Sequence, residues 1–185
     1  ELLKHEKDNG KIVWVMGPAF SFDIKARRAL SALIENGYAH AVLAGNALAS
    51  HDLEGAYMQT ALGQNIYTQE NVPNGHYNHL DLINRVRAAG SMKAFVEQEN
   101  LDNGVMTAAI KNDVPIVLGG SIRDDGPLPE VYGDCYDAQD AMRAHVSKAT
   151  TVITMATMLH SIAVGNMTPS FRVLEDGTIR QTYFY

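Results

Sequence analysis

Residues 11–37, KIVWVMGPAFSFDIKARRALSALIENG, decide the architecture. Lys11 to Met16 reads as a strand with an unbroken apolar run, closed by the Gly17-Pro18 turn signal. Asp23 then stands where a helix cap belongs. Ala26, Leu30, Leu33 and Ile34 fall on one helical face through about Glu35, and Gly37 follows its end. A strand without polar alternation is covered on both faces, and the helix that follows supplies one cover. This is half of a β-α-β unit.

The unit recurs along the chain. A second strand, Ala39 to Ala44, runs into Gly45-Asn46-Ala47, and Ser50 is placed to cap a helix with Asp52 and Glu54 in its first turn. An irregular region, GQNIYTQENVPNGHYN, precedes helices expected at Leu80–Ala89, Lys93–Gln98 and Gly104–Asn112. The third strand is Val114 to Gly119. A helix from Asp137 to Lys148 leads to the fourth strand, TTVITMA, after which Thr157 can cap a short helix ending near Gly165. The tail reads as a hairpin around Asp176-Gly177. The fold class is therefore α/β, a Rossmann-like parallel sheet with flanking helices, in one domain spanning 1–185.

Composition narrows the function classes. The 185 residues suit one core, with 46% apolar and 19% charged residues and a formal net charge of −6. No basic stripe is present, which argues against a nucleic-acid partner. Cys135 is the only cysteine, so no internal disulfide forms and a cytoplasmic setting is expected. The polar start, ELLKHEKDNGK, is no signal peptide, and nothing reaches the ~18 apolar residues of a spanning helix. No membrane partner is expected, and the composition permits a homo-oligomer. The chain starts without Met and stops inside an apparent strand, IRQTYFY, so a fragment of a longer protein is expected.

In an open parallel sheet, ligands bind beyond the carboxyl ends of the strands. Four unusual loops stand there, at Gly17-Pro18-Ala19-Phe20-Ser21, Gly45-Asn46-Ala47, Gly119 to Gly126, and Ala156 to His160. Small residues such as Gly17 and Ala19 let a backbone approach a pyrophosphate. However, GPAFSF is not G-x-G-x-x-G, and Asn46 replaces the usual acidic ribose ligand, so a ligand-free turn is an equal reading. In the third loop, Ser121 opens SIRDDGPLPE. Arg123 there suits a carboxylate or phosphate, and Asp124 and Asp125 suit ribose hydroxyls or an ammonium. A surface turn or a bracing Arg-Asp pair would use the same residues. His160 could polarise a carbonyl or imine from a helix start, or be a satisfied core histidine. Cys135 has acidic neighbours that disfavour a thiolate.

The segment HYNHLD, residues 76–81, has two histidines and a carboxylate close together. His51, Asp81 or His160 could complete a zinc set with His76 and His79. Asn78 and Asp81 are instead explained as a capping box opening the Leu80 helix, so no metal is expected. His79, at that helix start, is left as a ligand-facing candidate.

Longer motifs now coincide: VMGPAF.FD.KAR.AL..LI.NGY, LAGNALA.HDLE, TALGQNIYTQE.VPNGHYNHLDLINRVR.AGS, KNDVP.VL.GSIRDDGPLPEV and DAQDAMR.H..KAT.VI..AT.LHSIA.GNMTPS. Together they resemble the LOR/SDH-related family, named after lysine-oxoglutarate reductase/saccharopine dehydrogenase, over nearly the whole chain from Lys11. The resemblance implies a deoxyhypusine-synthase-like NAD-binding variant of the Rossmann architecture. It also implies an ornithine cyclodeaminase activity, giving proline and ammonia, sometimes fused behind an arginine dihydrolase domain. It places NAD contacts at Asn46, Ala47, Asp124 and Ala156-Thr157-Met158-Leu159-His160. With ornithine as substrate, Arg123 would hold the α-carboxylate, Asp125 the δ-ammonium, and His79 or His160 would move protons. A net amino-acid oxidoreductase of saccharopine dehydrogenase type and a non-catalytic NAD-sensing module remain as alternatives.

Overall fold

The computed structural model describes residues 1–185. Helix α1 (Leu2–Asn9) precedes strand β1 (Ile12–Met16), and a 3₁₀ turn (Pro18–Phe22) leads into α2 (Ile24–Glu35). Strand β2 (Ala41–Gly45) passes directly into α3 (Asn46–Met58). A small hairpin, β3 (Thr60–Ala61) and β4 (Gln64–Asn65), is followed by α4 (His76–Ala89), α5 (Met92–Gln98) and α6 (Val105–Lys111). Next come β5 (Ile116–Gly119), β6 (Val131–Tyr132), α7 (Cys135–Val146), β7 (Thr151–Met155) and α8 (Met158–Met167). A hairpin of β8 (Phe171–Val173) and β9 (Ile179–Gln181) precedes β10 (Tyr183–Phe184).

The main sheet has the order β10-β7-β1-β2-β5-β6, and every pairing in it is parallel. β1 lies inside it, buried at all five positions. Successive side chains of a strand point to opposite faces. Ile12, Trp14 and Met16 accordingly join the larger core, with Leu30, Leu53, Leu82 and Phe95. Val13 and Val15 join the smaller one, with Met142, Val146 and Val164. The two apolar layers are the helical covers that an unalternating strand requires.

Several boundaries differ from expectation. α3 begins at Asn46, four residues before Ser50, because the extended Gly45 turns straight into the helix. Ser50 is thus a buried residue inside α3 and caps nothing. The Asn78–Asp81 capping box is also absent. α4 starts at His76 without a side-chain cap, Asn78 donates to Thr60 Oγ1, and Asp81 pairs with Arg85. α7 begins at Cys135, two residues before Asp137, and is capped by Asp134. Asp23 and Thr157 cap α2 and α8 as expected, and the tail hairpin forms. IRQTYFY is two strands, and β10 adds to the main sheet beside β7. α1 and the edge strand β6 were not anticipated. α1 is held by Glu6, whose buried carboxylate accepts from Thr150, Thr151 and Arg180.

α3 is buried along most of its length and has polar residues inside. Asp52 is fully buried. One oxygen accepts from Arg27 Nε at 2.9 Å and the other from the Met106 backbone at 2.8 Å. Arg27 Nη2 also donates to the Asp52 carbonyl. These bonds join α2, α3 and α6. Gly104 leaves the room, since a Cβ there would lie 2.7 Å from Arg27 Nη2 and 2.8 Å from Asp52 Oδ2. Removing Asp52 strands a buried guanidinium, so Asp52→Ala is expected to cost about 3–5 kcal/mol. Chemical denaturation measures the loss.

Candidate functional site

The all-parallel sheet places the loops after β1, β2, β5 and β7 on one edge. They converge on a crevice of about 400 Å³. Strand order runs from β1 through β2 to β5 on one side and to β7 on the other, so the crevice sits where the order reverses. Clefts of similar size beside Arg28 and beside Lys93 lie away from these strand ends.

His79, Arg123, Asp125 and His160 all line the crevice, as do Asn46, Ala47, Ser121, Asp124, Thr157 and Leu159. Gly17, Ala19, Ala156 and Met158 are not among its lining residues. Gly17 instead permits a close approach of two strand ends. A Cβ there would lie 1.7 Å from the Ala156 carbonyl oxygen. Ala156 itself has φ 61°, an uncommon backbone conformation for a residue with a side chain. The β7 end is thus bent sharply before Thr157.

Two helices begin at the crevice. No side chain caps α3, so backbone N–H groups of its first turn keep their hydrogen-bonding capacity. The Asn46 side chain faces elsewhere. It donates to the Gly126 carbonyl and accepts from the Leu128 N–H, both at 3.0 Å. Thr157 Oγ1 accepts the His160 backbone N–H and lies 3.1 Å from His160 Nδ1. The hydroxyl proton is therefore available to Nδ1, leaving the N–H at Nε2. Burial pushes the His160 imidazole below its ordinary value, which keeps it neutral. Gly45 makes room for the ring, since a Cβ there would lie 3.1 Å from its Cε1.

The third loop forms a local surface turn and holds no Arg-Asp brace. Asp124 accepts the Ser121 N–H at 2.8 Å and closes a local turn. Arg123 is exposed and braces neither Asp124 nor Asp125. Asp125, 58% exposed at its side chain, lies 3.3 Å from His79 Nε2.

Beneath Asp125 is a group that the sequence reading did not assemble. Glu54, fully buried, accepts from Thr60 Oγ1 at 2.7 Å, the Leu62 N–H at 2.8 Å and the Gly63 N–H at 3.0 Å. His51 Nδ1 lies 3.4 Å and His79 Nδ1 3.6 Å from its Oε2. Burial would raise this carboxyl. The facing imidazoles of His51 and His79 and the hydrogen bonds from Gly63 and Thr60 outweigh it and hold the group well below the usual carboxylate range. The ligand atoms of His51, Glu54 and His79 lie within 4.8 Å of one another, so these are also the residues that could hold a metal. Of the zinc set weighed from sequence, only His51 comes close to His79, with ring centroids 4.6 Å apart. His76 and Asp81 are exposed on α4. The missed signal was His51 and Glu54 three apart in a helix with no polar face.

Residues 1–174 match the family described as arginine dihydrolase ArgZ-like, C-terminal, Rossmann fold. The chain belongs to this family. Within reach of it is an ornithine cyclodeaminase of Methanopyrus kandleri, 48% identical over 171 residues, or 92% of this chain and 41% of the relative. The chain thus spans less than half of that relative's length. A crystal structure of a LOR/SDH protein from Methanococcus maripaludis aligns with TM-score 0.85 and 46% identity, covering 90% of this chain and 50% of that one. The ternary complex of AgrE with ornithine and NAD+ aligns with TM-score 0.86 and 42% identity, covering 91% and 25%. A structure described as a deoxyhypusine synthase from Entamoeba histolytica, 13% identical at TM-score 0.55, covers 94% of this chain and 64% of that one and shares the fold alone. The family and its Rossmann-like sheet agree with the reading from sequence.

Because Glu54 is depressed from its ordinary 4.5, its contribution to stability is complete above that value and is lost as pH falls through the folded pKa. The stability gap between wild type and Glu54→Gln should therefore narrow steadily below about pH 4.5. Denaturation midpoints measured from neutral to acid pH test this. A constant gap would contradict it.

Proposed function

We propose that this domain binds NAD and serves an ornithine cyclodeaminase, converting ornithine to proline and ammonia. The observation that carries the reading is the convergence of four strand-end loops on one crevice. That crevice holds an unpaired Arg123, the carboxylates of Asp124 and Asp125, and the imidazoles of His79 and His160. The relative solved with ornithine and NAD+ supports the same pairing of ligands.

The residues present suit the dinucleotide. The uncapped start of α3 and the start of α8 both meet the crevice, and helix N-termini favour a pyrophosphate. Asn46 and Ala47 would hold it through the backbone, and Asp124 would take a ribose hydroxyl with the oxygen left free by Ser121. When bound, NAD supplies a hydride acceptor that returns what it takes, so the conversion has no net redox change. Arg123 would fork onto the α-carboxylate. Asp125 would hold the δ-ammonium. His79, against Asp125, would move protons, and neutral His160 would donate from Nε2 to the reacting carbon's substituent. Cys135 is free and exposed, which supports a cytoplasmic setting. We further infer that the domain works fused to, or within, a longer chain, as the ArgZ-like C-terminal description of its family suggests.

The test is turnover by the full-length protein with ornithine and NAD+. Proline and ammonia should appear in equal amounts with no NADH accumulating. NADH accumulation would instead indicate a net oxidoreductase, and NAD binding without turnover a sensing module. Arg123→Ala should raise the KM for ornithine roughly 10- to 100-fold, as expected for a charged hydrogen bond of about 1.5–3 kcal/mol.

A further inference from the structure

Beneath the crevice, three side chains face one another at a spacing that hydrogen bonding does not explain. Glu54 has no exposure, and the side chains of His51 and His79 are 10% and 6% exposed. The chain already serves this carboxylate well. Oε1 accepts from Thr60 and Gly63, and Oε2 accepts from the Leu62 N–H at 2.8 Å. That leaves Oε2 one lone pair, with two imidazole nitrogens facing it. His51 Nδ1 stands 3.4 Å away and His79 Nδ1 3.6 Å. A charge-assisted N–H closes on a carboxylate to about 2.7–2.9 Å. His79 Nδ1 is buried and has no hydrogen-bond partner.

The other edge of the His79 ring accounts for that nitrogen. Nε2 lies 3.3 Å from Asp125 Oδ2, nearer than Nδ1 lies to Glu54. A neutral imidazole carries one N–H, and a carboxylate only accepts, so Asp125 draws the N–H to Nε2. Nδ1 is then bare and faces an anionic oxygen. Two lone-pair atoms opposed in a buried space repel each other unless a cation lies between them. A metal-ligating histidine is held this way, with the bare nitrogen on the ion and the opposite N–H on a carboxylate.

The spacing suits a small cation. Zinc bonds of about 2.0–2.1 Å at the tetrahedral angle set neighbouring ligand atoms about 3.3–3.4 Å apart. Both nitrogen-to-Oε2 distances agree with that edge to within about 0.3 Å, and all three ligand atoms lie within 4.8 Å of one another. Two imidazoles and a carboxylate are the donors of zinc sites that keep one position open. Nitrogen donors do not suit magnesium or calcium, which take oxygen. His51 and Glu54 sit one turn apart on α3, which Arg27 and Asp52 hold in place. The bonds from Thr60, Leu62 and Gly63 orient the carboxylate, as the outer partners of a ligating carboxylate do. His51 and His79 both line the crevice, so the open position lies on that side.

We propose that His51 and His79, each through Nδ1, and Glu54, through Oε2, bind one zinc ion whose fourth position opens into the crevice. The site goes beyond the cyclodeaminase reading and does not depend on it. The role given there to His79 uses Nε2 and Asp125, which the ion leaves in place. No metal was expected from the HYNHLD segment, and two of the three ligands lie outside it, on α3.

The closing experiment titrates zinc into the full-length protein, stripped with a chelator, in competition with a chromophoric indicator. One equivalent should bind with a Kd below about 1 μM. Cobalt in its place should give the strong visible absorption of a tetrahedral site. His79→Ala should weaken zinc binding more than about 100-fold, as expected for loss of one of three protein ligands. Asp125→Ala, at an exposed side chain that does not touch the ion, should weaken it roughly 10- to 100-fold. Failure of wild type to bind an equivalent at this affinity would overturn the proposal. So would wild-type affinity in either variant, which would put the ion elsewhere. Should His79→Ala fail to fold, Asp125→Ala decides the matter. Proline formation plays no part in these measurements, so their failure leaves the cyclodeaminase reading standing, and the failure of that reading leaves the zinc site to be judged by them.

Discussion

The buried ion pair between Arg27 and Asp52 sets the position of everything on the larger face of the sheet. Arg27 is 1% exposed and Asp52 not at all. Neither charge tolerates a shift that breaks the 2.9 Å contact, because each would be left unpaired in a low-dielectric interior. Asp52 also receives the Met106 N–H, so α6 is registered to α3 by the same carboxylate. Once α3 is fixed, one helical turn places Asn46 and Ala47 at the crevice, and the turns that follow place Ser50, His51 and Glu54 around it or beneath it. The buried ion pair thus lies two residues from the buried Glu54 carboxylate beneath the crevice.

Most of the architecture was legible because a parallel sheet writes itself plainly. Ile12 to Met16 is apolar without alternation, and only a strand covered on both faces needs that. The caps at Asp23 and Thr157 were legible for a local reason, since each satisfies an N–H three residues ahead. What failed were caps inferred where other contacts had prior use of the same residues. Asn78 bonds Thr60 and Asp81 bonds Arg85. α1 and β6 escaped because their support is remote. Glu6 is held by Thr150, Thr151 and Arg180, and a two-residue edge strand has no periodicity to read.

The crevice was legible in outline and illegible in depth. Its loops follow from the rule that ligands gather at the carboxyl edge, so His79, Arg123, Asp125 and His160 could be named from their places in the chain. Glu54 could not, because the start of α3 was set at Ser50. A helix beginning there puts Glu54 in an exposed first turn, where a carboxylate is ordinary. Beginning at Asn46, the same residue lies in the third turn of a helix buried on all sides, where a carboxylate demands an explanation. Four residues of error at a helix boundary separated a first-turn dipole preference from a carboxylate buried beneath the crevice.

The Asn46 clamp divides the long loop after β5 into two stretches under different selection. From Gly126 to Leu128 the backbone is bonded to the start of α3, so changes there would disturb a helix on which the fold relies. From Ser121 to Asp125 the loop is held by little beyond its own turn. Mutation can therefore sample new side chains at 121–125 without paying in foldedness. Under the proposed roles, a relative that handled a different amino acid could arise by rewriting Arg123 and Asp125, with the dinucleotide contacts and the sheet inherited unchanged.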